Sequence, residues 1–148
     1  QSKVWRTGGP TGAKSSRTTQ EQRLKAVEFA KRQVLAKKPY VWGDEGPNSF
    51  DCSGLVKWSI AQAGVKIKHG SANQIKQVTR ISKKDLKPGD LVFSGRAKGG
   101  IQHVSLYIGD GKVIHATYGS TSRKNQIRID NLDSTWVMDH KAYGRVKV

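Results

Sequence analysis

Near Lys87 the hydrophobic pattern of this 148-residue chain changes period, from helical spacing to short alternating runs. Upstream, Thr19-x-x-Gln22 reads as a capping box. Leu24, Val27, Phe29, Ala30, Val34 and Leu35 follow as an imperfect helical stripe to about Ala36, and Pro39 discourages continuation. Cys52, Leu55, Val56, Ile60 and Ala63 predict a second helix that starts at or just before Cys52 and is capped by Gly64. Ser71-x-x-Gln74 can cap a third, short helix carrying Ile75 and Val78. Downstream, Pro88-Gly89-Asp90 is a turn. Leu91 to Phe93, Gln102 to Ile108, Lys112 to Thr117, Ile127 to Ile129 and Tyr143 to Val148 then read as strands. Helices first and antiparallel strands later predict an α+β domain.

The chain is long enough for one domain with a real core. Residues 1–17, rich in Gly, Ser, Thr, Lys and Arg, are expected to form a flexible basic arm, and residues 18–148 the folded domain. No apolar run approaches the roughly 20 residues that a membrane span needs. The first residue is Gln, not Met, so the expectation is a mature form or excised domain whose export signal lies outside it. The net charge is +16, and the first 38 residues hold ten Lys/Arg against two Glu. Such a surface is attracted to any polyanion, and charge alone does not choose among nucleic acid, anionic membrane and cell-wall polymer.

Chemistry enters with Cys52, the chain's one cysteine. It has no partner for an internal disulfide, and it sits where a loop turns into a helix. A thiol in the first turn of a helix meets unpaired N–H groups and the positive end of the dipole, which favour a thiolate and can hold an oxyanion. An inert buried thiol fits Cys52 alone equally well. The histidines tilt the balance. Alternation puts His103, Ser105 and Tyr107 on one face of a strand, and His115 shares a face with Val113 and Thr117. A plain two-residue turn at Asp110-Gly111 would place the imidazoles on opposite faces of the sheet. A three-residue Gly109-Asp110-Gly111 loop, or a bulge with the same effect, sets His103 opposite Thr117 and brings both histidines to one face. That register is expected, with His103 as base for Cys52 and His115 as the group that orients His103. His69 and His140, in polar contexts, read as surface residues.

Tyr40-x-Trp42-Gly43, Phe50-Asp51-Cys52-Ser53-Gly54-Leu55-Val56, Pro88-Gly89-Asp90-Leu91-Val92-Phe93, His103-Val104-x-x-Tyr107-Ile108-Gly109 and Ile114-His115-Ala116, in that order, resemble the NlpC/P60 peptidases. The resemblance implies a papain-like α+β fold, with N-terminal helices packed on an antiparallel sheet. It implies a secreted or cell-wall-associated endopeptidase that cuts peptidoglycan stem peptides, typically between D-γ-glutamate and diaminopimelate or lysine. Cys52 maps onto the nucleophile, His103 onto the base and His115 onto the third polar residue. Tyr40, Asp51, Ser53 and Ser71 match positions that bind a free N-terminal amine of the substrate, and a carboxylate at Asp51 suits an ammonium. The chain departs from the family pattern at Asp44-Glu45, Ser105 and Phe93-Ser94, which bears on substrate preference. The basic surface is expected to supply affinity for anionic wall polymers.

The rival readings are weaker. Cys52, His103 and His115 match no common zinc spacing, so no metal or cofactor is expected. No nucleic-acid-binding motif accompanies the charge, so no specific nucleic-acid partner is expected. An amidase or acyltransferase on the same scaffold remains open.

Overall fold

The computed structural model describes residues 18–95, 100–117, 126–134 and 140–147, with the backbone alone for His140 and Lys141. The basic arm expected at residues 1–17 lies outside them. Helix α1 spans Gln20–Leu35, and both halves of its capping box form around Thr19 and Gln22. Its buried face is Arg23, Ala26, Val27, Ala30 and Gln33, whereas Leu24 and Leu35 are exposed. The expected stripe was therefore rotated: small alanines, rather than leucines, face the neighbouring helix. Arg23 is buried because its guanidinium donates to Thr18, whose own N–H and hydroxyl are fastened to the end of the last strand.

Helix α2, Cys52–Gln62, begins at the nucleophile candidate, and the Asp51 side chain caps it through the Gly54 N–H at 2.6 Å. Gly54 has no side chain for a physical reason: a Cβ there would lie 2.1 Å from the Asp44 carbonyl. The helix closes on Gly64, with Gly64 N–H to the Ala61 carbonyl and Val65 N–H to the Ile60 carbonyl. Helix α3 is only Ser71–Gln74, and Ser71 does not cap it; Gly70 holds the cap position. Nor does it carry Val78. A 3₁₀ turn at Ile75–Gln77 leads into strand β1, Val78–Ile81, which the sequence did not reveal.

The remaining strands are β2 Leu91–Ser94, β3 His103–Gly109, β4 Lys112–Thr117, β5 Gln126–Asn131 and β6 His140–Val146. All described pairings are antiparallel, in the order β1-β6-β2-β3-β4-β5, so the last strand sits inside the sheet. With the helices packed on it, this is an α+β fold. Phe50, Leu55, Ile60, Leu91, Phe93, Val104, Leu106 and Ile114 belong to the core between them. The Pro88-Gly89-Asp90 turn locks β2 to β6: Arg145 grips the fully buried Asp90 carboxylate with two hydrogen bonds of 2.8 Å.

The hairpin between β3 and β4 decides the site. Its turn is the two-residue Asp110-Gly111, both at positive φ, as a type I′ turn requires. Gly109 pairs with Lys112, but Tyr107 pairs with Val113 and Leu106 with Ile114, so Ile108 and Gly109 form a bulge. The extra residue restores the expected register. Carried on toward His103, it sets that residue across from Thr117, with His115 on the same face.

Candidate functional site

Cys52 is the first residue of α2, held there by the Asp51 cap. Its sulfur receives N–H groups from Ser53, from its own backbone and from Val104, the residue after His103. The thiol therefore meets the start of β3 directly. Burial, above all, and the charge of Asp51 push the Cys52 thiol up from its ordinary value; the three N–H groups only partly oppose them. The sequence expectation was a lowered thiol. The helix N-terminus does act in that direction, but burial outweighs it.

His103 and His115 meet across the hairpin, with Nε2 of His103 2.8 Å from Nδ1 of His115. Their rings stand nearly edge to face, at 78°. His115 is fully buried. Its other nitrogen, Nε2, lies 3.0 Å from Oδ2 of Asp130 on β5. Arg128, the cross-strand partner of His115, holds the same oxygen at 3.3 Å. Burial pushes the Asp130 carboxyl up, but the hydrogen bonds and charges of His115 and Arg128 prevail and keep it below the usual range. Burial first, and then the neighbouring His115, depress His103 to about 3. At neutral pH His103 is an uncharged base.

Sequence reasoning missed Asp130. The strand was visible and its alternation puts Arg128 and Asp130 on one face. However, residues 118–125 intervene between β4 and β5, and nothing in their composition sets the register.

A cleft of about 610 Å³ opens over the sulfur. Trp42 and Gly43 line it from the loop before α2, Asp51, Cys52 and Ser53 from the helix start, His69 to Ala72 from the next turn, and Ile101 and Gln102 from the approach to β3. The Trp42 indole is 77% exposed at this cleft. Another cavity, about 710 Å³ at the β5 edge, is lined by Val34, Lys37, Pro39 and residues 126–129 and holds no nucleophile.

Of the residues matched to amine binding, Asp51, Ser53 and Ser71 line the cleft, whereas Tyr40 is packed into the core at 8% exposure. The polar atoms of Ser53 are engaged within the protein: its hydroxyl donates to Asp51 and accepts the Gly70 N–H. His69 is not the plain surface residue expected. Its Nε2 lies 2.9 Å from both oxygens of Asp51, and its Nδ1 lies 3.1 Å from Glu45. The acidic departures at Asp44 and Glu45 are likewise engaged. Asp44 accepts the Ser49 hydroxyl, and Lys57 bonds Glu45, chiefly lowering its carboxyl. His140 enters β6 through its backbone, and its side chain lies outside the described residues. Among the described residues no group of His, Cys, Asp and Glu could hold a metal ion, and no helix is long and apolar enough to cross a membrane.

Comparison with known proteins follows the same outline. The NlpC/P60 family model matches residues 37–144. A probable endopeptidase p60 of Listeria monocytogenes is 40% identical over 119 residues, covering 80% of this chain and 23% of that protein. The bifunctional muramidase/DL-endopeptidase CwlT of Bacillus subtilis is 38% identical over 74% of this chain and 33% of its own length. The chain thus spans a third or less of these relatives. Among solved structures, the peptidoglycan hydrolase RipB of Mycobacterium tuberculosis is similar at 32% identity and a TM-score of 0.64, over 95% of this chain and 73% of that one.

Proposed function

We propose that this chain, which belongs to the NlpC/P60 family, is a thiol endopeptidase of the bacterial cell wall. It cuts peptidoglycan stem peptides between D-γ-glutamate and the following diaminopimelate or lysine. The observation that carries the reading is the polar line Asp130–His115–His103, which ends beside a thiol at a helix start.

A carboxylate accepts hydrogen bonds and donates none. His115 therefore carries its proton on Nε2, toward Asp130, and leaves Nδ1 bare. That Nδ1 accepts from Nε2–H of His103, which leaves Nδ1 of His103 bare as the base. One carboxylate thus sets the tautomers of two imidazoles. With the thiol raised and the imidazole lowered, the resting pair is neutral rather than a preformed ion pair. The Cys52 proton passes to His103 as sulfur attacks the scissile carbonyl. N–H groups of the first turn of α2 face the developing oxyanion. The imidazolium then protonates the departing amine, and water, activated by the same base, hydrolyses the thioester.

The bond assignment is supported by the family motifs and by the relatives' names, endopeptidase p60 and DL-endopeptidase among them. It places the enzyme at the wall, as a secreted or wall-associated protein. Digestion of defined muropeptides, with products resolved by mass spectrometry, tests the reading. Wild type is expected to release fragments cut after D-γ-glutamate, and Cys52→Ala is expected to release none while keeping its circular dichroism spectrum. Release of the intact stem peptide from the glycan would identify an amidase instead. Full activity in Cys52→Ala would remove the thiol mechanism.

The +16 charge draws the enzyme to anionic wall polymers. Raising salt from 50 to 500 mM (about 14 to 4 Å in Debye length) is expected to release it from isolated walls. Retention unchanged by salt would rule out this attraction.

A further inference from the structure

We propose that His69 fills the ammonium site at Asp51. The enzyme therefore takes stem peptides whose first residue is N-acylated, as it is in the intact polymer, in preference to free peptides. This rests on the endopeptidase reading above.

A carboxylate offers about four acceptor positions. Asp51 spends them within the protein. Its Oδ1 takes the Gly54 N–H at 2.6 Å and the Ser53 hydroxyl at 3.3 Å, and its Oδ2 takes the Gly43 N–H at 3.1 Å. His69 Nε2 takes the remaining position, 2.9 Å from either oxygen. A substrate ammonium arriving here finds no acceptor left.

It also meets a cation. Both ring nitrogens of His69 face carboxylates, Asp51 on one side and Glu45 on the other. Neither carboxylate donates, so the ring must donate from both nitrogens, and that state is the imidazolium. The ring is anchored from two elements, since Lys57 on α2 holds the other oxygen of Glu45 at 2.5 Å. His69 and Asp51 both line the cleft that contains Cys52, so the pair stands in the substrate's path. A charged amine would have to displace one positive group from its partner, whereas an amide nitrogen carries no charge and asks for no carboxylate.

The test compares two substrates that differ only at the N-terminus: L-alanyl-D-γ-glutamyl-diaminopimelate with a free amine, and the same tripeptide N-acetylated. Wild type is expected to show a higher kcat/KM on the acetylated peptide. His69→Ala and His69→Gln, which free Asp51, are each expected to move the ratio about tenfold toward the free amine, the scale of one charge-assisted hydrogen bond. Wild type cutting the free amine at least as well, or a ratio unmoved in both variants, would overturn the proposal. If wild type cuts neither peptide while Cys52 still alkylates, the endopeptidase reading fails and this inference with it. Cutting of both with reversed preference removes the inference alone.

Discussion

Two carboxylate–imidazole pairs stand near Cys52, Asp130 with His115 at 3.0 Å and Asp51 with His69 at 2.9 Å. In bond length they are nearly alike. They differ in what the second ring nitrogen meets. In His115 it meets another imidazole, and the carboxylate's influence runs on to His103. In His69 it meets a second carboxylate, Glu45, and the line ends there. They differ also in exposure: the His115 side chain is fully buried, and that of His69 is 27% exposed. Burial keeps water from competing for the first pair and makes it a fixed part of the base. The second pair opens and closes against solvent, as a group at a substrate threshold must.

The comparison is broken most severely through the buried line. Along it, losses of kcat are expected to shrink with distance from the thiol. His103→Ala removes the proton acceptor and costs about 10²–10⁴-fold. His115→Ala removes orientation and costs less. Asp130→Ala costs about tenfold, the scale of one hydrogen bond to a charged group. The Asp130 loss is expected in kcat rather than KM, and Asp130→Asn, which keeps an acceptor oxygen, is expected to recover part of it. Steady-state kinetics on one muropeptide reads the series. An equal loss at His115 and His103 would overturn the division of roles.

Acid titration sharpens the contrast with a smaller effect. His103 in an unfolded chain takes its proton near 6.5 and in the fold near 3. The unfolded state therefore binds more protons between those values. The contribution of His103 to stability is complete above pH 6.5 and is lost as pH falls from 6.5 toward 3. Asp130, held below 3.8, adds its own loss at the acid end of that window. Urea midpoints at pH 7, 5 and 4 are expected to fall more steeply for wild type than for His103→Gln. Parallel declines would show that His103 is not the buried neutral base described.

These differences also explain what could be read ahead of the structure. Local rules carried the Thr19 capping box, the start of α2 at Cys52 and the histidine register, because each depends on a few neighbouring residues. The rotated face of α1 escaped because hydrophobic spacing favours leucine over alanine, whereas close helix packing rewards the smaller side chain. Strand β1 was hidden because Val78 fits a helical stripe until β6 arrives to pair with it from the far end of the chain. Asp130 and His69 escaped for a common reason. Each meets its partner across a connection whose path no motif determines, so neither looked like more than a polar residue.

The bulge at Ile108–Gly109 carries a rule for change over evolutionary time. Every side chain of β4 keeps its face through a count of residues that is odd or even, and this hairpin's count places His115 inward beside His103. A single inserted or deleted residue would exchange His115 for Ile114 on that face and separate the base from its orienting carboxylate in one step. Two would leave the alternation intact. The connection is thus free to lengthen or shorten only by pairs, and its descendants should preserve parity more faithfully than they preserve the residues themselves.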